Sequence, residues 1–414
     1  MQKYNPGTIT VLETQPYYKN DRVVADVRQF HRLFWTFPHC IHAFMNCKPI
    51  IQIDGTFLYG RYRHVLLLTV IQDGNQKTIL IAFALVPRED TNSCKFFLKN
   101  LQQHFFRNNT VCLVSDRGSG FLSAIESLGR RFRSPKVEHR YCFQHIASNY
   151  HGRYKKNSER KLILRMGYEL LPNKFEEMLH EVNEMNSEGY NYIAGIPKEK
   201  WTNAYDGGFR YGHMTTDLAE AINSSLKGIR NLPISVIVKA TYFCLGKLFA
   251  TLGKESFTLK DVGHIFHPRI QKEIQALVVK SNGLYVLPMS RSNTIFCVSE
   301  IPRPLQGYDP TSYRVNLEEK WCDCGYFQAL KSPCQHTIAA CNNSRRDYKN
   351  LVDPVYFLHS VCKVYEMEFP AIDSKTEWHG NQTWPTILPD PKIRKNKSGR
   401  PTSTRIHNAM DMPQ

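Results

Sequence analysis

The stretch Pro49-Ile50-Ile51-Gln52-Ile53-Asp54-Gly55-Thr56-Phe57-Leu58 decides the fold. Ile51 and Ile53 share one face and Ile50 takes the other, so the segment reads as a mostly buried strand. Asp54 then stands near the end of that strand, where an unpaired carboxylate is costly unless something compensates its charge. A divalent cation is one such compensation. A strand-ending Asp-Gly turn is the other reading of the same residues.

Two further extended runs follow at hairpin spacing. His64-Val65-Leu66-Leu67-Leu68-Thr69-Val70-Ile71 ends in Gln72-Asp73-Gly74-Asn75, a strong turn signal. Thr78-Ile79-Leu80-Ile81-Ala82-Phe83-Ala84-Leu85-Val86 stops at Pro87. Asp90-Thr91-Asn92-Ser93 can cap the helix that comes next, in which the apolar residues of 94–105 fall at helical spacing. A fourth strand, Val111-Cys112-Leu113-Val114-Ser115-Asp116, again ends in an aspartate. Arg117-Gly118-Ser119-Gly120 turns into another helix, and residues 136–143 read as a fifth strand. Hairpin-linked strands, a crossover helix and further strands make a mixed α/β sheet. Function collects at strand ends in such sheets, so Asp54 and Asp116 weigh more together than singly.

Upstream, residues 24–35 place apolar groups on one side and predict a helical lead-in over 1–46. Downstream, residues of about 149–214 read as a helical insertion, followed by a helix in which Leu218, Ile222 and Leu226 share a face. Residues 241–310 read as a helical and extended connector, and 370–414, rich in Pro, Lys, Arg and Asn, as a largely disordered basic tail.

The chain has 414 residues, enough for more than one domain, with 42% hydrophobic and 12% aromatic content typical of a folded protein. Its 54 Lys and Arg against 37 Asp and Glu give a net charge of +17, which favours a polyanionic partner, nucleic acid first. The N-terminus lacks an apolar signal core, and the longest apolar runs fall short of a membrane span. Twelve cysteines without an export signal predict reduced thiols and metal ligation in an intracellular protein.

The sharpest local signal is Cys322-Asp323-Cys324 followed by Cys334-Gln335-His336. Three thiolates and an imidazole are what tetrahedral zinc accepts, and the intervening residues are long enough to loop the pairs together. With Tyr313-Arg314-Val315-Asn316-Leu317 before it and Trp321 beside the first ligand, this segment resembles a SWIM zinc finger over 311–345. The resemblance implies structural Zn²⁺ on Cys322, Cys324, Cys334 and His336, and a module for DNA or protein contact.

The second constellation is Asp54, Asp116 and a further acid. Phosphodiester cleavage and joining uses two divalent metals held by carboxylates a few ångströms apart. Asp54-Gly55-Thr56-Phe57, Asp73-Gly74-Asn75, Ala82-Phe83-Ala84-Leu85-Val86 and Val114-Ser115-Asp116-Arg117-Gly118 resemble the transposase domain of plant Mutator-like elements. Tyr141-Cys142-Phe143-Gln144-His145 is similar to that family's CxxH, and Thr215-Thr216-Asp217-Leu218-Ala219-Glu220-Ala221-Ile222-Asn223 to its third-acid motif, with Asp217 where asparagine is usual. The resemblance implies an RNase H-like domain over 47–240, with Asp54, Asp116 and Glu220 as a DDE triad and Mg²⁺ or Mn²⁺ as catalytic cofactor. It also implies a nuclear partner of DNA, outside any membrane and able to self-associate. Read on their own, Glu220 is equally a solvated helix glutamate, and Asp217, Glu199 and Asp206 are rival third acids. Cys142 and His145 alone are too few for tetrahedral zinc and read as a buried pair or a phosphate contact.

Lys392, Arg394, Lys395, Lys397 and Arg400 surround a Gly-Arg-Pro core similar to an AT-hook, which would lay Arg400 into a narrow minor groove. A nuclear-localising or merely solvated tail is the alternative. Relatives of this kind carry an N-terminal DNA-binding zinc module and often a zinc knuckle, so a shortened or domesticated copy is the expectation. That leaves two functions open, a DDE transposase or a DNA-binding regulator without catalysis, with SWIM-based protein contact as a third.

Overall fold

The computed structural model describes residues 2–106, 110–132, 137–214, 226, 228–300, 311–372 and 385–394. The chain begins with a hairpin, β1 (Ile9–Lys19) and β2 (Arg22–Thr36), before a short helix α1 (Pro38–Met45). Then come β3 (Ile50–Phe57), β4 (Val65–Gln72) and β5 (Thr78–Val86) as an antiparallel meander. Helix α2 (Thr91–His104) crosses over to β6 (Val111–Ser115), and α3 (Ser119–Leu128) leads to β7 (Val137–Tyr141). β6 lies parallel to β3, with Ile50 opposite Cys112 and Gln52 opposite Val114, and β7 lies parallel to β6. The strand order β1-β2-β5-β4-β3-β6-β7 contains the RNase H-like arrangement from β5 to β7.

The sequence explains these elements. Every residue of β4 is buried, and all but the first of β5, so both faces are covered. Phe97 and Leu101 of α2 and Phe121 of α3 fill part of that core. Asp90 caps α2 as expected, its Oδ1 accepting from the Ser93 N–H at 2.8 Å.

The N-terminal lead-in is a correction: residues 24–35 are strand, not helix. Phe30 and Phe34 lie four apart, a spacing that a helix stripe and a strand face both satisfy. Pairing decides between them, because Leu33–Thr36 of β2 supply the hydrogen-bond partners that the edge of β5 needs. The turn is Asn20-Asp21, both at positive φ (50° and 60°), which suits a tight hairpin.

Helices α4 (Phe143–Tyr154), α5 (Asn157–Tyr168), α6 (Pro172–Met185) and α7 (Ser187–Ala194) form the insertion, which starts at Phe143 and has its own core of Phe143, Tyr150, Met166, Phe175 and Trp201. Helix α8 (Ile234–Asp261) has 28 residues and is long and apolar enough to cross a membrane by length and composition. Its Ile237, Tyr242, Leu245 and Phe249 belong to the sheet's core instead, and Trp35 Nε1 donates to Thr241 Oγ1 at 3.1 Å. The boundary expected at 240 therefore falls inside a helix of the first domain.

The boundary at 311 moves as well. After α9 (Pro268–Ser281), strands β8 (Leu284–Pro288) and β9 (Ile295–Glu300) pair with β10 (Ser312–Asn316) and β11 (Trp321–Cys322) in one sheet of order β11-β10-β9-β8. Helices α10 (Tyr326–Leu330) and α11 (Gln335–Asn343) complete this module, and α12 (Leu358–Val364) follows. A Cβ at Gly208, whose φ is +77°, would collide with the carbonyl of Gln328, so the finger packs directly against the loop after the insertion. Within the basic tail, Thr386–Leu388 forms β12, parallel to β2, and Pro391–Ile393 makes a 3₁₀ turn.

Candidate metal centres

Asp54 and Asp116 stand at the same end of the sheet because β3 and β6 run in the same direction in register. Both are half-buried. Asp54 Oδ1 accepts the Gly55 N–H at 2.8 Å, and Asp116 Oδ1 accepts the Gly118 N–H at 3.0 Å. Burial pushes the Asp54 carboxyl above its ordinary range and Asp116 adds to that push, while His145 and the Gly55 N–H oppose it.

A third carboxylate joins them that the sequence reading passed over. Glu89 follows β5, which runs the same way as β3 because the meander reverses direction twice. The residue as a whole is exposed, yet its carboxylate lies over Gly55, where a Cβ would sit 2.8 Å from Oε2. Only glycine leaves room for that approach. Desolvation of this end, then Asp116 and Asp54, push Glu89 up to about 7. Topology was the available signal, since alternate strands of a meander end at one edge. The local sequence shows only the cap that Asp90 supplies.

His145, on the first turn of α4, faces the same group. Its hydrogen bond with Cys142 raises its pKa to about 9, burial opposes this, and Asp54 and Asp116 add to the rise. The imidazole is thereby drawn towards its protonated form beside the acids. Cys142 is buried at the entrance to α4. The CxxH thus sits next to the aspartates, and among the described residues it joins no group of ligands close enough to hold one ion.

Of the rival acids, Asp206 is committed elsewhere. It is buried between Arg140 Nε at 3.1 Å and Arg210 Nε at 3.2 Å, and its Oδ2 accepts the Arg210 N–H at 2.8 Å. Glu199 is exposed on a 3₁₀ turn. Glu220 and Asp217 lie outside the described residues, as do Lys395, Lys397 and Arg400. Lys392 and Arg394 are described and exposed. His64 and His139, read as ordinary, are held below their usual value, chiefly by burial, at about 4 and about 3.

The thiolate site is compact. The ligand atoms of Cys322, Cys324, Cys334 and His336 all lie within 4.8 Å of one another. His336 Nδ1 is 3.6 Å from Cys322 Sγ and 3.8 Å from Cys334 Sγ. Two ligands at about 2.0–2.3 Å from one tetrahedral ion lie about 3.5–3.8 Å apart, so these spacings fit zinc, as do the donors themselves. Burial pushes the Cys334 thiol up, but hydrogen bonds with Cys322, Cys324, His336 and Thr337 outweigh it and bring it well below its ordinary value. Gln328 braces the first ligand, accepting the Cys322 N–H at 3.1 Å and donating to the Cys322 carbonyl at 2.8 Å. Tyr313 stacks on the His336 ring at 4.2 Å.

The carboxylate edge and the cysteine cluster coincide with two known families. The MULE transposase domain matches residues 50–149, a span holding Asp54, Glu89, Asp116, Cys142 and His145, and the SWIM zinc finger matches residues 313–344. No curated protein matches the chain. The protein is thus a MULE transposase-domain protein with a SWIM zinc finger, whose Cys₃His group suggests Zn²⁺.

Proposed function

We propose that this chain is a DNA-binding transposase, or a nuclear protein derived from one, that cleaves and joins DNA strands at the edge formed by Asp54 and Asp116. The observation that carries this reading is the pair of aspartates brought level by the register of the neighbouring parallel strands β3 and β6, inside the span matched by the transposase domain. Two Mg²⁺ or Mn²⁺ ions bound there would activate the attacking hydroxyl and stabilise the leaving oxygen. The chain's own part is to hold the oxygen donors. Asp54 and Asp116 supply hard carboxylate ligands suited to such ions, and Glu89 adds a third once it loses its proton. Glu220 is the fourth carboxylate we assign to this site, by its motif. The charged His145 ring balances the acids and lies where a phosphate would approach them.

The test is nicking of a cleavable duplex with Mn²⁺ or Mg²⁺. Asp54→Asn and Asp116→Asn should each abolish it, and Glu220→Gln should reduce it at least a hundredfold, about 3 kcal/mol of transition-state stabilisation. Equal activity in wild type and Asp54→Asn would refute catalysis. Metal-independent DNA binding without nicking by the wild type would favour a catalytically silent regulator.

A further inference from the structure

Beside the carboxylate edge lies a basic and aromatic surface that the two metal centres do not use. It is built from the connection between β3 and β4, from Arg230 and from the described part of the tail. Arg230 Nη1 donates to Thr56 Oγ1 at 2.9 Å, and the Tyr59 N–H donates to the Arg230 carbonyl at 3.1 Å. The Arg230 guanidinium lies 4.8 Å from the centre of the Tyr59 ring. Thr56 follows Asp54 by two residues on the same strand face, about 7 Å at ordinary strand rise.

The tail is fastened to the other end of this loop. The Arg63 N–H donates to the Ile393 carbonyl at 2.9 Å, and Tyr62 pairs with Arg394 in an antiparallel bridge. Arg61, Arg63, Lys392 and Arg394 are all exposed, and among the described residues no acid forms an ion pair with any of them or with Arg230. Asp390, the nearby acid, is turned into its own chain, accepting the Lys392 N–H at 2.9 Å. Phe57 is 70% exposed and Tyr59 is 59% exposed, unusual for rings so close to a sheet core.

We propose that this surface is the track that carries one DNA strand, with unpaired bases, to the Asp54–Asp116 edge. The inference rests on the reading of that edge as a DNA-processing site. Unpaired guanidinium and ammonium groups suit phosphates, and exposed rings between them suit stacking of unpaired bases. The described basic tail thereby acts as a fixed wall of the track.

The experiment is fluorescence anisotropy with the full chain and labelled oligo-dT of about 20 nucleotides, titrated across a series of salt concentrations. The double variant Arg61→Ala/Arg63→Ala should lower the slope of log K against log salt by about 1.4, about 0.7 per phosphate contact on a single strand. Tyr59→Leu should weaken oligo-dT about tenfold and a blunt duplex much less. Lys272→Ala/Lys280→Ala, exposed on α9, should change neither. An unchanged slope in the arginine variant, with wild type binding normally, would overturn the track. Equal losses for duplex and single strand in Tyr59→Leu would overturn the base-stacking part. Failure of the catalytic reading is separable, because it shows as wild-type protein that binds oligo-dT with the expected slopes yet never nicks.

Discussion

The carboxylate edge and the cysteine cluster both gather side chains of the kinds that bind metals, but they are assembled in opposite ways. Cys322, Cys324, Cys334 and His336 come from one short segment, braced locally by Gln328 and Tyr313. Asp54 lies on β3 while Glu89 and Asp116 follow the ends of β5 and β6, and only the assembled sheet brings them together. The energetics differ accordingly. In the finger a single ion would bind four ligands of which Cys322 and Cys334 also belong to the module's small core, so metal binding and folding are coupled there. At the strand ends, a core of buried strands brings the acids together whether or not a cation is present, and Asp54 and Glu89 are both raised, by desolvation first and then by their acidic neighbours. Ligand loss should therefore unfold the finger and relax the edge.

The largest effect is expected at the finger. Cys334→Ser should take bound zinc from one ion per chain to none and unfold the module around Phe296, Val298 and Val315, at a cost on the order of 10 kcal/mol of metal-linked folding energy. Elemental analysis gives the metal count, and limited proteolysis followed by mass spectrometry shows whether cuts fall within 284–343 while the sheet domain survives. A zinc content still near one per chain would break the contrast.

The difference in assembly also governs what was legible in the chain. The finger's ligands declare themselves by spacing, but nothing in that spacing shows that Leu284–Pro288 and Ile295–Glu300 support them, since short strands acquire meaning only through their partners. Asp54 and Asp116 were readable because each ends an unambiguous apolar run. Glu89 was not, because it is separated from its run by Pro87 and Arg88 and stands beside a stronger signal, the Asp90 cap. The N-terminal hairpin was misread because Phe30 and Phe34 fit either period and the decisive fact, the open edge of β5, lies some fifty residues further on. Local chemistry was visible, and pairing across the sheet was visible only where the strands were consecutive.

Asp206 sharpens the comparison from inside the same domain. It is buried, but Arg140 and Arg210 compensate its charge. Asp206→Asn would leave the inaccessible Arg210 guanidinium without its carboxylate and Arg140 with Glu138 alone, and should cost about 3–5 kcal/mol. Asp54→Asn in metal-free protein removes a charge that burial and Asp116 disfavour and that His145 and the Gly55 N–H only partly offset, so it should be neutral or stabilising. Urea denaturation of the two variants at pH 7.5 without added Mg²⁺ or Mn²⁺ reads the difference directly. Destabilisation of similar size in both would mean that the edge acids are structural and carry hidden partners.

The smallest effect tests the repulsion itself. Glu89 has an ordinary value of 4.5 and is pushed up to about 7 in the folded chain, by desolvation first and then by Asp116 and Asp54. Between these values the folded chain keeps a proton that the unfolded chain has released, so stability falls as pH rises through the window. Below 4.5 both states are protonated and the penalty vanishes; above 7 it is fully present. Glu89→Gln should therefore stabilise metal-free protein by about 1 kcal/mol at pH 8, a figure reduced for solvent screening because the residue is exposed, and by nothing at pH 4.5. With saturating Mn²⁺ the order should reverse, since wild type then gains a ligand that the variant lacks. A gain that is the same at both pH values would mean that the substituted amide merely packs better, and that Glu89 does not share a field with Asp54 and Asp116.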